Sequence, residues 1–113
     1  MRPRGHIECR LDDITKAVGR VAGIHARYLA DPDCREKHIE QLRTMCYRMA
    51  RDYTPLTYRH IGKYFGRSEH TVRHRAYLFS KNTKEGRWPK RKALWASAQQ
   101  ELENILNTRK SRR

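Results

Sequence analysis

An all-α domain is the fold this 113-residue sequence predicts, and three observations predict it. Apolar residues recur at i, i+4 and i+7 along most of the chain, the period of a helix buried on one face. No segment alternates apolar and polar residues over a useful strand length. Residues 54–79 read as two short helices about a tight turn, with Ile61 and Phe65 facing inward on the first and Val72, Ala76 and Phe79 on the second. A chain of this length holds one domain with a modest core.

Each element follows in order. Residues 1–11 are basic and irregular, and are expected to form a flexible arm ahead of a domain spanning 12–108. Asp12 or Asp13 can cap a first helix that carries Ile14, Val18 and Val21 or Ala22 inward, until Gly23 breaks it. Ile24 to Leu29 read as a second, short helical turn. Asp31-Pro32-Asp33 is a helix-start signal, so Pro32 or Asp33 is expected to open the longest helix, with Ile39, Leu42, Cys46 and Met49 on its buried face. Pro55 ends that helix. The turn Gly66-Arg67-Ser68 joins the next two helices, Gly66 supplying an unusual backbone geometry and Ser68 the following cap. Residues 81–87 read as a polar loop. A final helix over 88–108 carries the stripe Leu94, Ala98, Leu102, Ile105 and Leu106, with Trp88 and Trp95 as docking residues, and a basic tail covers 109–113.

Charge narrows the partner. Twenty-six Lys and Arg against twelve Asp and Glu leave a formal net charge of +14, which points to an anionic partner. No apolar run reaches membrane-spanning length and the first residues lack a signal peptide's apolar stretch, so no membrane partner and a cytoplasmic, nucleoid-associated location are expected. Three cysteines, Cys9, Cys34 and Cys46, fit reduced thiols better than a disulfide framework.

The exposed face of the helix after the turn offers Glu69, His70, Thr71, Arg73 and His74, side chains able to bond base edges and phosphates. With Lys63 and Ser68 beside them, they make duplex DNA the expected partner. Catalysis finds little support: there is no phosphate-binding Gly-x-x-x-x-Gly-Lys-[Ser/Thr] loop and no assignable triad, so no enzyme and no cofactor are expected. Cys34/His38 and His70/His74 have i, i+4 spacing but no companion pair, so no metal is expected.

Several motifs in order resemble a known family. Arg43-Thr-Met-Cys-Tyr-Arg-Met-Ala-Arg-Asp-Tyr-Thr54 is similar to Arg-Gln-x-Ala-Met-x-Leu-Ala-Lys-Glu-Leu-Thr, and Tyr58-Arg-His-Ile-Gly-Lys-Tyr-Phe-Gly66 to Leu-Pro-Glu-Ile-Gly-x-x-Phe-Gly, of the C-terminal DNA-binding domain (domain IV) of the bacterial replication initiator DnaA. The resemblance spans residues 14–80, and Leu102 to Thr108 echo the end of that domain. It implies a compact helical fold of the DnaA domain IV, Trp-repressor-like kind. The family's Gly-Gly-Arg-Asp-His-Thr-Thr-Val stands here as Gly66-Arg-Ser-Glu-His-Thr-Val72, one residue shorter, so recognition of the initiator's own nine-base box does not follow.

Residue by residue, the resemblance implies that Arg35 enters a minor groove and that Arg43 and Arg51 lie near phosphates. It places Tyr58 and Arg59 at a helix start whose amides meet a phosphate, and makes Glu69, His70 and Thr71 base readers. Arg73 and Arg75 have no clear counterpart and can contact phosphate or guanine. The expected function is sequence-specific binding of double-stranded DNA as a transcription regulator, an activator, of a phage-like or gene-transfer element, with RNA polymerase or a second regulatory protein as a further partner. The alternatives are a small replication factor at DnaA-box-like origin sites and a low-specificity nucleoid or RNA-binding protein. One monomer per asymmetric site is expected.

Overall fold

Six helices follow one another in the described residues, 9–86 and 89–111 of the computed structural model: α1 (Leu11–Ala22), α2 (Ala26–Ala30), α3 (Lys37–Tyr53), α4 (Tyr58–Phe65), α5 (Glu69–Lys84) and α6 (Pro89–Ser111). The expected all-α fold is what forms. Residues 1–8 of the arm expected over 1–11, the docking role of Trp88 and the side chains of the basic tail lie outside the described residues, while Leu11 of that arm already opens α1.

α3 is the central element. Ile39, Leu42, Met45, Cys46, Met49 and Ala50 are buried, and so is Tyr47, whose ring meets Phe65 of α4 edge-on at 5.2 Å. Ile61 and Phe65 of α4 and Val72, Ala76 and Phe79 of α5 close over the same core. Each Ile, Leu, Met, Val or Phe among them contributes roughly 1.5–3 kcal/mol by leaving water. Thr54 ends α3: its hydroxyl donates to the Ala50 carbonyl (2.6 Å) and accepts from the Leu56 amide (3.2 Å), while its own extended backbone suits the residue before Pro55.

The apolar stripe of α6 packs back on this same chain. Ala98, Leu102 and Leu106 are buried, and α6 lies chiefly along α1, which turns Ile14, Ala17 and Val18 inward. Arg20 of α1 donates to Glu101 of α6 at 2.7 Å across the seam, and Phe79 of α5 meets Trp95 of α6 at 5.3 Å. Tyr64 of α4 is tied to α1 by donating to Asp12 at 2.5 Å.

Besides α2, which spans Ala26–Ala30, and α6, which runs on to Ser111 into the expected basic tail, three boundaries differ from the sequence expectation. Arg10 is the N-cap of α1, and Asp13 acts from inside the first turn by accepting from the Arg10 amide at 2.9 Å. Residues 81–84, expected in a loop, continue α5, where Asn82 and Thr83 donate back to the Leu78 and Phe79 carbonyls (2.9 and 2.8 Å). The third difference is larger. α3 does not begin at Pro32 or Asp33 but at Lys37, and among the described residues α6, not α3, is the longest helix. In the segment 31–36 ahead of α3, the Asp31 and Cys34 carbonyls are turned out of any helical ladder toward a buried arginine.

Candidate nucleic-acid interface

The turn between α4 and α5 is built by two residues. Gly66 ends α4 with φ +67° and ψ 37°, a left-handed conformation that costs a residue bearing a Cβ. Ser68 starts α5, its hydroxyl accepting from the Thr71 amide (3.1 Å) and donating to the Thr71 hydroxyl (2.9 Å). Gly62 is needed one turn earlier, since a Cβ there would run into the Arg67 carbonyl. These local rules aim α5 away from α4 with its apolar face inward.

The outward face of α5 carries Glu69, His70, Arg73, His74 and Arg75, all exposed, with Thr71 half-buried. The rings of His70 and His74 stack one helical turn apart, 6.1 Å between centroids and 6° from parallel. Arg73 pairs with Glu69 along the helix and also lies over the Tyr58 ring, 5.7 Å from its centroid. On the same ring sits Arg51 of α3, at 4.7 Å, whose Nη1 donates to the Leu56 carbonyl at 3.0 Å. The structure thus brings Arg51, Tyr58, Glu69 and Arg73 together, at the point where α3, α4 and α5 meet.

Around this cluster α4 exposes Arg59 and Lys63, and its first turn is capped by Thr57, which accepts from the His60 amide at 3.2 Å. The α4 N-terminus therefore joins free backbone donors to flanking cations, a combination that suits a phosphate oxygen. Arg35 is exposed on the segment between α2 and α3. Tyr77, 59% exposed on α5, was missed by sequence reasoning, although its place outside the Val72–Ala76–Phe79 stripe marks it as outward-facing.

Arg43 does not belong with these residues. It is 0% exposed, so the expectation that it lies near a phosphate is corrected. Its Nε donates to the Leu29 carbonyl (2.7 Å), Nη1 to the Cys34 carbonyl (2.6 Å), and Nη2 to the carbonyls of Tyr28 (3.0 Å) and Asp31. The Glu40 carboxylate completes the set, 3.1 Å from Nη1. Guanidinium has five N–H donors, and here each has an acceptor. Three of the carbonyls belong to the last turn and C-cap of α2, the negative end of that helix, which favours a cation.

A second arginine shares the same carboxylate. Arg67 pairs with Glu40 at 2.8 Å and donates to the carbonyls of Gly66 (3.0 Å) and Pro32 (3.2 Å). Burial alone raises the pKa of Glu40, but the hydrogen bonds and charges of Arg67 and Arg43 outweigh it and leave the carboxyl below its ordinary range. Arg67 too was missed as a structural residue; its place in a polar turn gives no sign of an inward partner.

Burial pushes the Cys46 thiol up to about 12, the opposite of what a nucleophilic cysteine needs. Among the described residues no group of three or more His, Cys, Asp or Glu side chains gathers as a metal site. No helix of the described residues is long and apolar enough to cross a membrane.

The bacterial DnaA protein helix-turn-helix family matches this chain over residues 11–77, which is α1 through most of α5. No curated protein and no solved structure gave a match.

Proposed function

From a chain that belongs to the bacterial DnaA helix-turn-helix family, and so binds DNA by sequence, we propose a transcription regulator that acts on double-stranded DNA. The observation that carries this reading is the division of α5. Val72, Ala76 and Phe79 anchor it in the core while Glu69, His70, Arg73 and His74 are exposed on the opposite face, the arrangement of a helix that enters a major groove. Thr71 adds a methyl group and a hydroxyl at the groove-facing N-terminus. Tyr58, Arg59, Lys63 and Arg51 would meet the phosphates that flank the groove, and Arg35 the adjoining minor groove.

The remaining parts of the proposal follow from this site. The protein works in the cytoplasm, at the nucleoid, and an activator would bring RNA polymerase or a second regulatory protein to the bound promoter. Burial of the α6 stripe against α1 supports a monomer on one asymmetric site, since the apolar face best suited to a two-fold interface is already covered. A second reading, a replication factor at origin boxes, is favoured by the family match itself.

A genome-wide map of bound sites tests the proposal. Peaks at promoters with a shared asymmetric motif are the expected result. Clustering at an origin would favour the replication factor, and a featureless profile would reject both.

A further inference from the structure

Two proposed DNA-contacting parts of this molecule come from segments far apart in the chain, and a buried ion network joins them. Arg35 sits in the 31–36 segment. That segment is held from one side by Arg43, which takes the Asp31 and Cys34 carbonyls, and from the other by Arg67, which takes the Pro32 carbonyl. Arg67 is the middle residue of the helix-turn-helix turn, one residue before the Ser68 cap of α5. Both arginines end on the two oxygens of one carboxylate, Glu40 Oε1 at 3.1 Å and Oε2 at 2.8 Å.

The turn and the segment also touch directly. Pro32 fills the space that a Cβ on Gly66 would need. The link is well shielded from water: the side chain of Arg43 is 0% exposed, that of Arg67 9% and that of Glu40 19%. Charge pairs in such surroundings are screened far less than surface pairs, and each guanidinium is held in addition by backbone carbonyls, which restrain its rotation.

We propose that Glu40 and Arg67 are positioning residues that set the distance and angle between Arg35 and α5, so that minor-groove and major-groove contacts are made in one register. The proposal rests on the DNA-reading site described above. Neither residue touches DNA in this scheme. A long arginine on a loose loop would find a phosphate anywhere along the backbone and would add affinity without sequence information. Held at a defined offset from α5, the same side chain meets one particular stretch of minor groove, and its preference for a narrow A·T-rich groove becomes part of the site.

The test uses the full chain and its own selected site, with two sets of altered duplexes: A·T to G·C changes in the flank beneath Arg35, and single changes in the bases beneath α5. Wild-type protein should discriminate in both sets. Arg35→Ala should abolish the flank preference, on the order of tenfold, and leave the preference beneath α5 intact. Glu40→Gln, which keeps the shape and loses the charge, should do the same. Combined with Arg35→Ala, it should cost the flank preference nothing further.

Arg67→Lys, which cannot hold both Pro32 and Glu40, is the second variant and covers the case in which Glu40→Gln fails to fold. A uniform loss of affinity on every duplex, in step with a lower folded fraction, would overturn the positioning role. So would an unchanged flank preference in the folded variants. A wild-type chain with no preferred sequence would reject the DNA-reading site itself. A wild-type chain that keeps its preference beneath α5 but has no flank preference would reject only the positioning role.

Discussion

Pro32 and Gly66 stand against each other so closely that any side chain on the glycine would occupy the position of the proline ring. The contact joins the segment before α3 to the turn before α5, thirty-four residues apart, and it adds to a backbone at φ +67° that already disfavours other residues. Gly66→Ala is therefore expected to destabilise the fold by at least about 2 kcal/mol, from left-handed strain plus the clash. Denaturant unfolding measures it. A loss as small as a few tenths would mean that the turn relaxes freely.

Arg43→Ala is expected to be worse. It leaves Glu40 with Arg67 alone and takes the side-chain donor from four carbonyls, of which Asp31 retains the Cys34 amide, a loss of about 3–5 kcal/mol for a buried pair cut on one side. Arg43→Lys should recover little, because one ammonium cannot reach acceptors spread over residues 28–40. Thermal unfolding of the two variants checks both statements.

The same network predicts an acid limb of stability. The folded-state pKa of Glu40 is lowered, so its contribution is present above the unfolded carboxylate pKa and is lost as pH falls through the lower, folded value. Wild-type protein should be more stable than Glu40→Gln at neutral pH, and the gap should close on acidification below the usual carboxylate range. Parallel pH profiles of the two proteins would contradict this.

Tyr47 offers the opposite kind of test. Its hydroxyl is buried and has no hydrogen-bond partner among the described residues, and burial pushes its pKa up to about 12. Tyr47→Phe keeps the edge-on contact with Phe65 and removes a group that gains nothing from burial. Stability should be unchanged or higher by up to about 1 kcal/mol. A loss above that, in denaturant titration, would reveal a partner for the hydroxyl.

For DNA binding, Arg35→Ala and Arg73→Ala should each lower the slope of log affinity against log salt by about one unit, if each arginine displaces one counterion. Arg43→Lys, in whatever fraction folds, should leave the slope unchanged because residue 43 is buried. Equal slopes for all four proteins would make Arg35 and Arg73 ordinary surface cations.

What the sequence determined by itself was everything governed by residues within a turn or two of one another. Ile61 with Phe65, and Val72 with Ala76 and Phe79, are spaced by the helical period, so the two helices and their buried faces were legible, as were the Gly66 and Ser68 turn and the Thr54–Pro55 stop. The exposed set on α5 followed as the complement of its stripe.

The tertiary structure alone decided which cations turn inward and what the α6 stripe covers. Arg43 and Arg48 look alike in sequence, yet Arg48 pairs with Asp52 on its own helix while Arg43 meets carbonyls of residues 28, 29, 31 and 34. Those acceptors converge only once α2 and α3 have packed. They also override the Asp31-Pro32-Asp33 start signal, because carbonyls turned toward a buried guanidinium cannot enter a helical ladder. In the same way, the seam between α1 and α6 joins residues as far apart as Arg20 and Glu101, and periodicity reports that a face is apolar without saying what lies against it.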